Sequence, residues 1–195
     1  VADLKEKGYN VLATGEMGIG NTTTSSAVCS VLLDQSVEKV TGKGAGLTNK
    51  DLEHKIEVIR QSIALNKVNA DDPLDVLAKV GGLDIAGMAG CYIGGAALNI
   101  PVFIDGFISS VAALIAIRLV PECAPYLFPS HCSNEPAGRM ILDAIGKQPY
   151  ILANMCLGEG SGAVMGFTIA DYAFKAYWEL PSFEQTNFGT YEELN

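Results

Sequence analysis

Asn10-Val11-Leu12-Ala13-Thr14-Gly15-Glu16-Met17-Gly18-Ile19-Gly20-Asn21-Thr22-Thr23 is the stretch that decides how this chain folds. Residues 10–14 form a short apolar run that stops at a glycine, the pattern of a buried strand. Asn21 is a strong N-cap type, and the residues from Thr22 to Leu33 read as a helix. A glycine loop joining a strand to a helix is the elementary unit of an α/β sheet, and this one carries a glutamate. Glycine beside a carboxylate removes side-chain bulk and lets backbone N–H groups approach whatever the carboxylate faces. A solvated surface glutamate has no use for that arrangement, and a core position does not take glutamate.

A second glycine-flanked glutamate stands near the other end, in Leu157-Gly158-Glu159-Gly160-Ser161-Gly162. Between the two, apolar runs at 101–104, 126–129 and 150–153 read as strands, and 37–40 as a short strand or helix end. Helices are predicted from a Thr48 or Asn49 cap to about Asn66, from Pro73 to Lys79, over 84–98, 109–119 and 136–145, and over 160–178. Residues 84–98 are rich in Gly and Ala, the composition of a helix packed very close to a neighbour. Strands alternating with helices, with loops of Gly, Ser, Asp and Glu at the strand ends, predict an α/β, Rossmann-like fold: a mostly parallel sheet with flanking helices. Residues 1–180 are expected to form one nucleotide-binding domain, whose long last helix packs on a smaller helical domain, and 181–195 a polar surface tail. The chain begins at Val1 without an initiating methionine, as expected of part of a longer polypeptide or of a processed one.

The 195 residues carry a net charge of −9, which argues against a nucleic-acid binder, normally marked by a basic face. Five scattered cysteines without a CxxC suit reduced thiols and a cytoplasmic location. The apolar stretch 83–119 is broken by Asp84, Pro101 and Asp105, so buried helix, strand and helix are expected and no membrane span.

Gly15-x4-Gly20-Asn21-Thr22 has phosphate-loop spacing with asparagine in place of the lysine that neutralises nucleotide phosphates, which argues against a nucleoside triphosphatase. The loop and helix start still offer N–H groups to one phosphate; the plainer reading is a tight turn without a ligand. The loop 42–46 is a weaker glycine signal, and Lys55 in the next helix reads by default as a solvated residue. Asp105-Gly106 follows a strand and reads equally as a ligand contact or a helix cap. Ser130-His131-Cys132-Ser133 lacks the second cluster that a zinc site needs. Glu159, with apolar neighbours before and after it, is expected to be buried and to carry a raised pKa suited to a general base, against the bland reading of a glutamate held at a helix N-terminus.

These motifs together resemble the nicotinate-nucleotide–dimethylbenzimidazole phosphoribosyltransferase family. The likeness runs collinearly through the Glu16 loop, Asp72-Pro73-Leu74, Gly81-Gly82, Asp105-Gly106-Phe107, the 130–136 segment and the Glu159 loop. It implies transfer of ribose phosphate from nicotinate mononucleotide to a benzimidazole nitrogen, with Glu159 as base, Glu16 as a second catalytic glutamate, and no cofactor or metal. By the same likeness Gly18, Lys55, Asp105, Gly106 and Ser133 hold the donor. Gly20, Asn21 and Thr22 of the first loop and Leu157 and Gly158 of the second complete the expected substrate contacts. A homodimer is implied. The family's segment before the Glu16 motif is missing and the ending at 186–189 departs from the family's, so a truncated, non-catalytic nucleotide-binding module is the alternative.

Overall fold

In the computed structural model, described over residues 1–186, three short strands lie parallel and in chain order across one sheet. They are β1 (Leu12–Ala13), β2 (Val102–Ile104) and β3 (Leu127–Pro129). Parallel neighbours need long crossovers, and here those crossovers are helices. Five lie between β1 and β2: α2 (Asn21–Leu33), α3 (Val37–Val40), α4 (Asn49–Asn66), α5 (Pro73–Val80) and α6 (Leu83–Ala97). Helix α7 (Phe107–Leu119) and a 3-10 turn (Pro121–Tyr126) join β2 to β3. A short α1 (Ala2–Glu6) precedes the sheet, and α8 (Gly138–Ala144) and α9 (Ser161–Glu179) follow it.

Side-chain alternation along β2 separates two layers. Val102 and Ile104 join the core with α2, α5, α6 and α7, in which every residue from Phe107 to Ala116 is buried. Phe103 points the other way, stacks on Phe128, and meets Phe167 of α9 edge-on with ring centres 4.8 Å apart. So α9 covers the opposite face. Its contribution to burial is small: Gly162, Ala163 and Gly166 are buried, while Tyr172, Phe174, Tyr177 and Trp178 are exposed.

Local signals set most of the helix ends. Asp72 caps α5 through the N–H groups of Leu74 and Asp75, with Pro73 in the first turn, and Thr48 caps α4 through the N–H of Asp51. Two expectations, at Asn21 and at 150–153, are corrected, and two, at 37–40 and in the α6 glycines, are narrowed. Asn21 does not cap α2: Gly20 does, at φ +83°, and the Asn21 amide instead donates to Asp84 Oδ2 (2.7 Å). Residues 37–40 are helical. The expected strand at 150–153 shrinks to one parallel bridge between His131 and Ile151, because Leu152 and Ala153 turn outward and Asn154 adopts φ +51°. The glycines of α6 serve close packing at Gly95, where an added Cβ would fall 2.5 Å from Val102, whereas Gly87 and Gly90 face open space.

The stretch 83–119 is helix, strand and helix, and among the described residues no helix is long and apolar enough to cross a membrane. All five cysteines are free. The expected tail falls largely on residues 187–195, outside the described residues, as does most of the 186–189 ending.

Candidate active site

Parallel strands end on one edge of the sheet, and the loops leaving β1, β2, β3 and the Ile151 bridge gather there. Two of them touch backbone to backbone. The Glu159 N–H donates to the Glu16 carbonyl (2.9 Å), and a Cβ on Gly15 would lie 2.2 Å from the Gly160 nitrogen. The two glutamates that bracket the sequence therefore stand on a single seam. Any side chain at position 15 would push it open.

Three successive residues of the second loop have positive φ: Gly158 (+77°), Glu159 (+59°) and Gly160 (+82°). For a non-glycine residue this conformation is unfavourable and needs outside support. Asp105 provides it. Its buried carboxylate accepts from the N–H groups of Gly160 (3.0 Å), Gly162 (2.8 Å) and Ala163 (3.2 Å), which neutralises the open N-terminus of α9. Asp105 is thus a helix cap, but for a helix that starts 56 residues later, and its oxygens are committed to the protein. Of the two readings of Asp105, ligand contact or helix cap, this geometry is that of the cap.

His131 lies beneath the same turn. A Cβ on Gly162 would fall 2.1 Å from its Nδ1, and Gly106 lies against its Nε2 edge. Ser130 donates to the Ile104 carbonyl (2.7 Å), leaving its oxygen to face His131 Nδ1 at 3.0 Å. Burial holds the His131 pKa below its ordinary value, and the nearby Asp105 opposes that shift. On the other side, buried Tyr92 links Thr14 at the end of β1 (2.5 Å) to the Ser109 carbonyl of α7 (3.1 Å). Burial pushes its hydroxyl pKa far up, so Tyr92 is a neutral strut.

Glu159 itself is exposed, against the expectation of a buried carboxylate. Its neighbour Leu157 and the first-loop residues Met17 and Ile19 also face solvent, with 68%, 63% and 76% of their surfaces open. Glu16 is half-buried and bonds its own loop through the Met17 N–H (3.0 Å).

The remaining predicted residues form a second group around the start of α2. Lys55 is buried, and its ammonium donates to Thr22 Oγ1 (2.9 Å) and to the Gly42 carbonyl (3.0 Å). It is therefore not a solvated helix residue. Burial lowers its pKa, and Glu135 opposes that shift. Ser133 lies in the same loop as Glu135 and accepts from its N–H (3.3 Å). Asn21 contributes a buried amide oxygen without a partner. Gly18 and Gly20, both at positive φ, connect this group to the seam. Sequence reading missed Tyr92 and Glu135 as site residues; a lone tyrosine in a Gly/Ala helix was the available sign for the first. Among the described residues no cluster of three or more His, Cys, Asp or Glu is placed to hold a metal.

A family model described as phosphoribosyltransferase matches residues 1–188. The chain belongs to this phosphoribosyltransferase family. A relative from Ruminiclostridium cellulolyticum, named nicotinate-nucleotide–dimethylbenzimidazole phosphoribosyltransferase, is 54% identical across 100% of this chain and 55% of its own length. One of the same name from Halalkalibacterium halodurans is 48% identical over 92% of this chain and 50% of its own. The crystal structure of CobT from Thermus thermophilus superposes with a TM-score of 0.89 at 32% identity, covering 96% of this chain and 56% of that one. The chain therefore spans about half the length of the relatives it matches.

Proposed function

We propose that this chain carries the donor side and the general base of a nicotinate-nucleotide–dimethylbenzimidazole phosphoribosyltransferase. The observation that carries the reading is the seam: Glu16 and Glu159 held on touching backbones at the N-terminus of α9, with the buried Lys55 bonded to Thr22 at the far end of the first loop. Nicotinate mononucleotide presents a pyridinium, whose ring nitrogen becomes neutral as it leaves and needs no acid. The C1′–N bond to nicotinate breaks as a benzimidazole nitrogen attacks C1′ from the opposite face. The benzimidazole N–H proton goes to Glu159, giving α-ribazole 5′-phosphate and nicotinate by direct displacement.

Lys55, Thr22, Gly18, Gly20 and Ser133 serve the ribose phosphate, and Glu16 orients the ribose beside the base. Met17, Ile19 and Leu157, exposed on the two loops of the seam, offer an apolar landing for the acceptor ring. Asp105 and Gly106 act through the loop and not on the donor. The same reading makes residues 1–180 one nucleotide-binding unit of a cytoplasmic homodimer. Five free thiols and the exposed aromatic side of α9 are in line with that.

Replacement E159Q keeps shape and removes the basic oxygen. Transfer, followed as α-ribazole phosphate by chromatography, is expected to fall ~10³-fold, in the range of a lost general base, with nicotinate mononucleotide affinity unchanged. Undiminished transfer by E159Q would sink the base assignment.

The exposure of Glu159 favours one second reading, a nucleotide-binding module without turnover. Calorimetric titration with nicotinate mononucleotide and then dimethylbenzimidazole separates the two. Binding of the donor alone supports the module.

A further inference from the structure

Glu135 is a charged side chain without an evident task. It lies in the loop between β3 and α8, and its Oε2 is buried with no hydrogen-bond partner. An orphaned buried carboxylate oxygen is costly, so its position calls for a reason. The backbone in front of it is a bare glycine. A Cβ on Gly42 would fall 2.0 Å from that oxygen and 2.7 Å from Pro136 Cδ, so the bare glycine lets the loop 42–46 lie against this carboxylate and the proline after it.

Gly42 is shared between the two charges. Its carbonyl accepts from Lys55 Nζ (3.0 Å), and its Cα faces Glu135. Lys55 bonds to Thr22 and Gly42, both neutral, and among the described residues it forms no ion pair within 4.0 Å. Helix α2 presents a hydroxyl to Lys55 and the glycine loop a carbonyl, with Lys43 of that loop turned to solvent. Glu135 is the acidic group whose field reaches it.

We propose that Glu135 is a positioning residue for donor recognition, holding the buried Lys55 in its charged form, one proton free, for the phosphate of the ribose donor. This rests on the donor reading above. A direct ion pair would consume the third ammonium proton, whereas a carboxylate across the width of one glycine supplies the field and leaves the proton available. Burial acts against both charges, lowering the Lys55 pKa and raising that of Glu135, and each group opposes the shift of the other. The Gly44 amide also favours the Glu135 carboxylate.

The direct test is the titration of Lys55 by NMR of its ε-carbon in wild-type protein and in E135Q. Glutamine keeps the shape and removes the charge. The midpoint of Lys55 is expected to drop by about one pH unit, which at a pH above the new midpoint costs about tenfold in phosphate-dependent affinity. Calorimetry with nicotinate mononucleotide should then show weaker binding by E135Q, with the alkaline loss of affinity moved to lower pH. Nicotinate riboside, which lacks the phosphate, should bind both proteins alike. E135D, with its shorter carboxylate, should lie between. An unmoved Lys55 midpoint, or equal or tighter donor binding by E135Q, overturns the proposal. A shifted midpoint in a protein that binds inorganic phosphate but not nicotinate mononucleotide supports the role of Glu135 and overturns the donor reading instead.

Discussion

The seam of Glu16 and Glu159 and the node of Lys55 and Glu135 lie at opposite ends of one glycine loop, and they hold charge in opposite ways. At the seam the backbones touch and Glu159 is exposed. At the node Lys55 is buried and bonds to Thr22 and to the Gly42 carbonyl, with Glu135 across that glycine and not in an ion pair with it. An exposed carboxylate is open to a large, flat acceptor and takes its dry surroundings from what binds. A buried ammonium is prepared before a ligand arrives, which suits a small phosphate of fixed shape. On the proposed function, the acceptor side of this site is adaptable and the donor side is preset.

If that contrast is right, damage to the two regions should separate. The largest effect is expected from G162A, whose added methyl would strike His131 and the Asp105 carboxylate. Overpacking at such a point costs about 3 kcal/mol, so both thermal stability and transfer should fall, while donor binding per folded molecule stays near wild type. Equal stability of G162A in a melt would show that α9 starts loosely and that the seam is not rigid. Next comes K55M, which keeps the apolar stem and removes the charge. Loss of a charged hydrogen bond is worth about 2 kcal/mol, so calorimetry should record roughly 30-fold weaker nicotinate mononucleotide. The wild-type protein should lose donor affinity as pH rises through the lowered pKa of Lys55, since only the charged form holds phosphate. A pH-independent affinity would break the comparison at the node.

The smallest effect concerns His131. Its folded pKa lies below its ordinary 6.5, so on acidification the unfolded chain takes up a proton before the native one does. Stability should therefore fall as pH drops from about 6.5 towards the depressed value, then level off. Denaturant titrations of H131Q should lack that slope.

The fold was legible where signals were local. The strand–glycine–helix pattern at 10–33, Asp72-Pro73 before α5 and the polar breaks in 83–119 each act over a few residues, and each placed its element. The expected positions of both glutamates were also legible, because glycine beside a carboxylate is unusual. Contacts across long separations left no such mark. Nothing in Asp105-Gly106 tells that the carboxylate turns to a helix beginning at Ser161, because the two meet only when the sheet brings their loops to one edge. Glu135 belongs to no periodic pattern, so its burial follows from the glycine loop that folds over it. Glu159 misled for a related reason. Apolar sequence neighbours imply burial only when the backbone turns them inward, and Leu157 turns out.

The left-handed backbone at Glu159 sets a limit on how this protein can improve. A β-carbon there costs of order 1 kcal/mol that glycine avoids. In a saturation library at this position, the most heat-resistant member should be glycine, with asparagine close behind, and neither should transfer ribose. Under the proposed function, selection for robustness and selection for turnover pull this one codon in different directions, and the glutamate is kept at the expense of a sturdier loop.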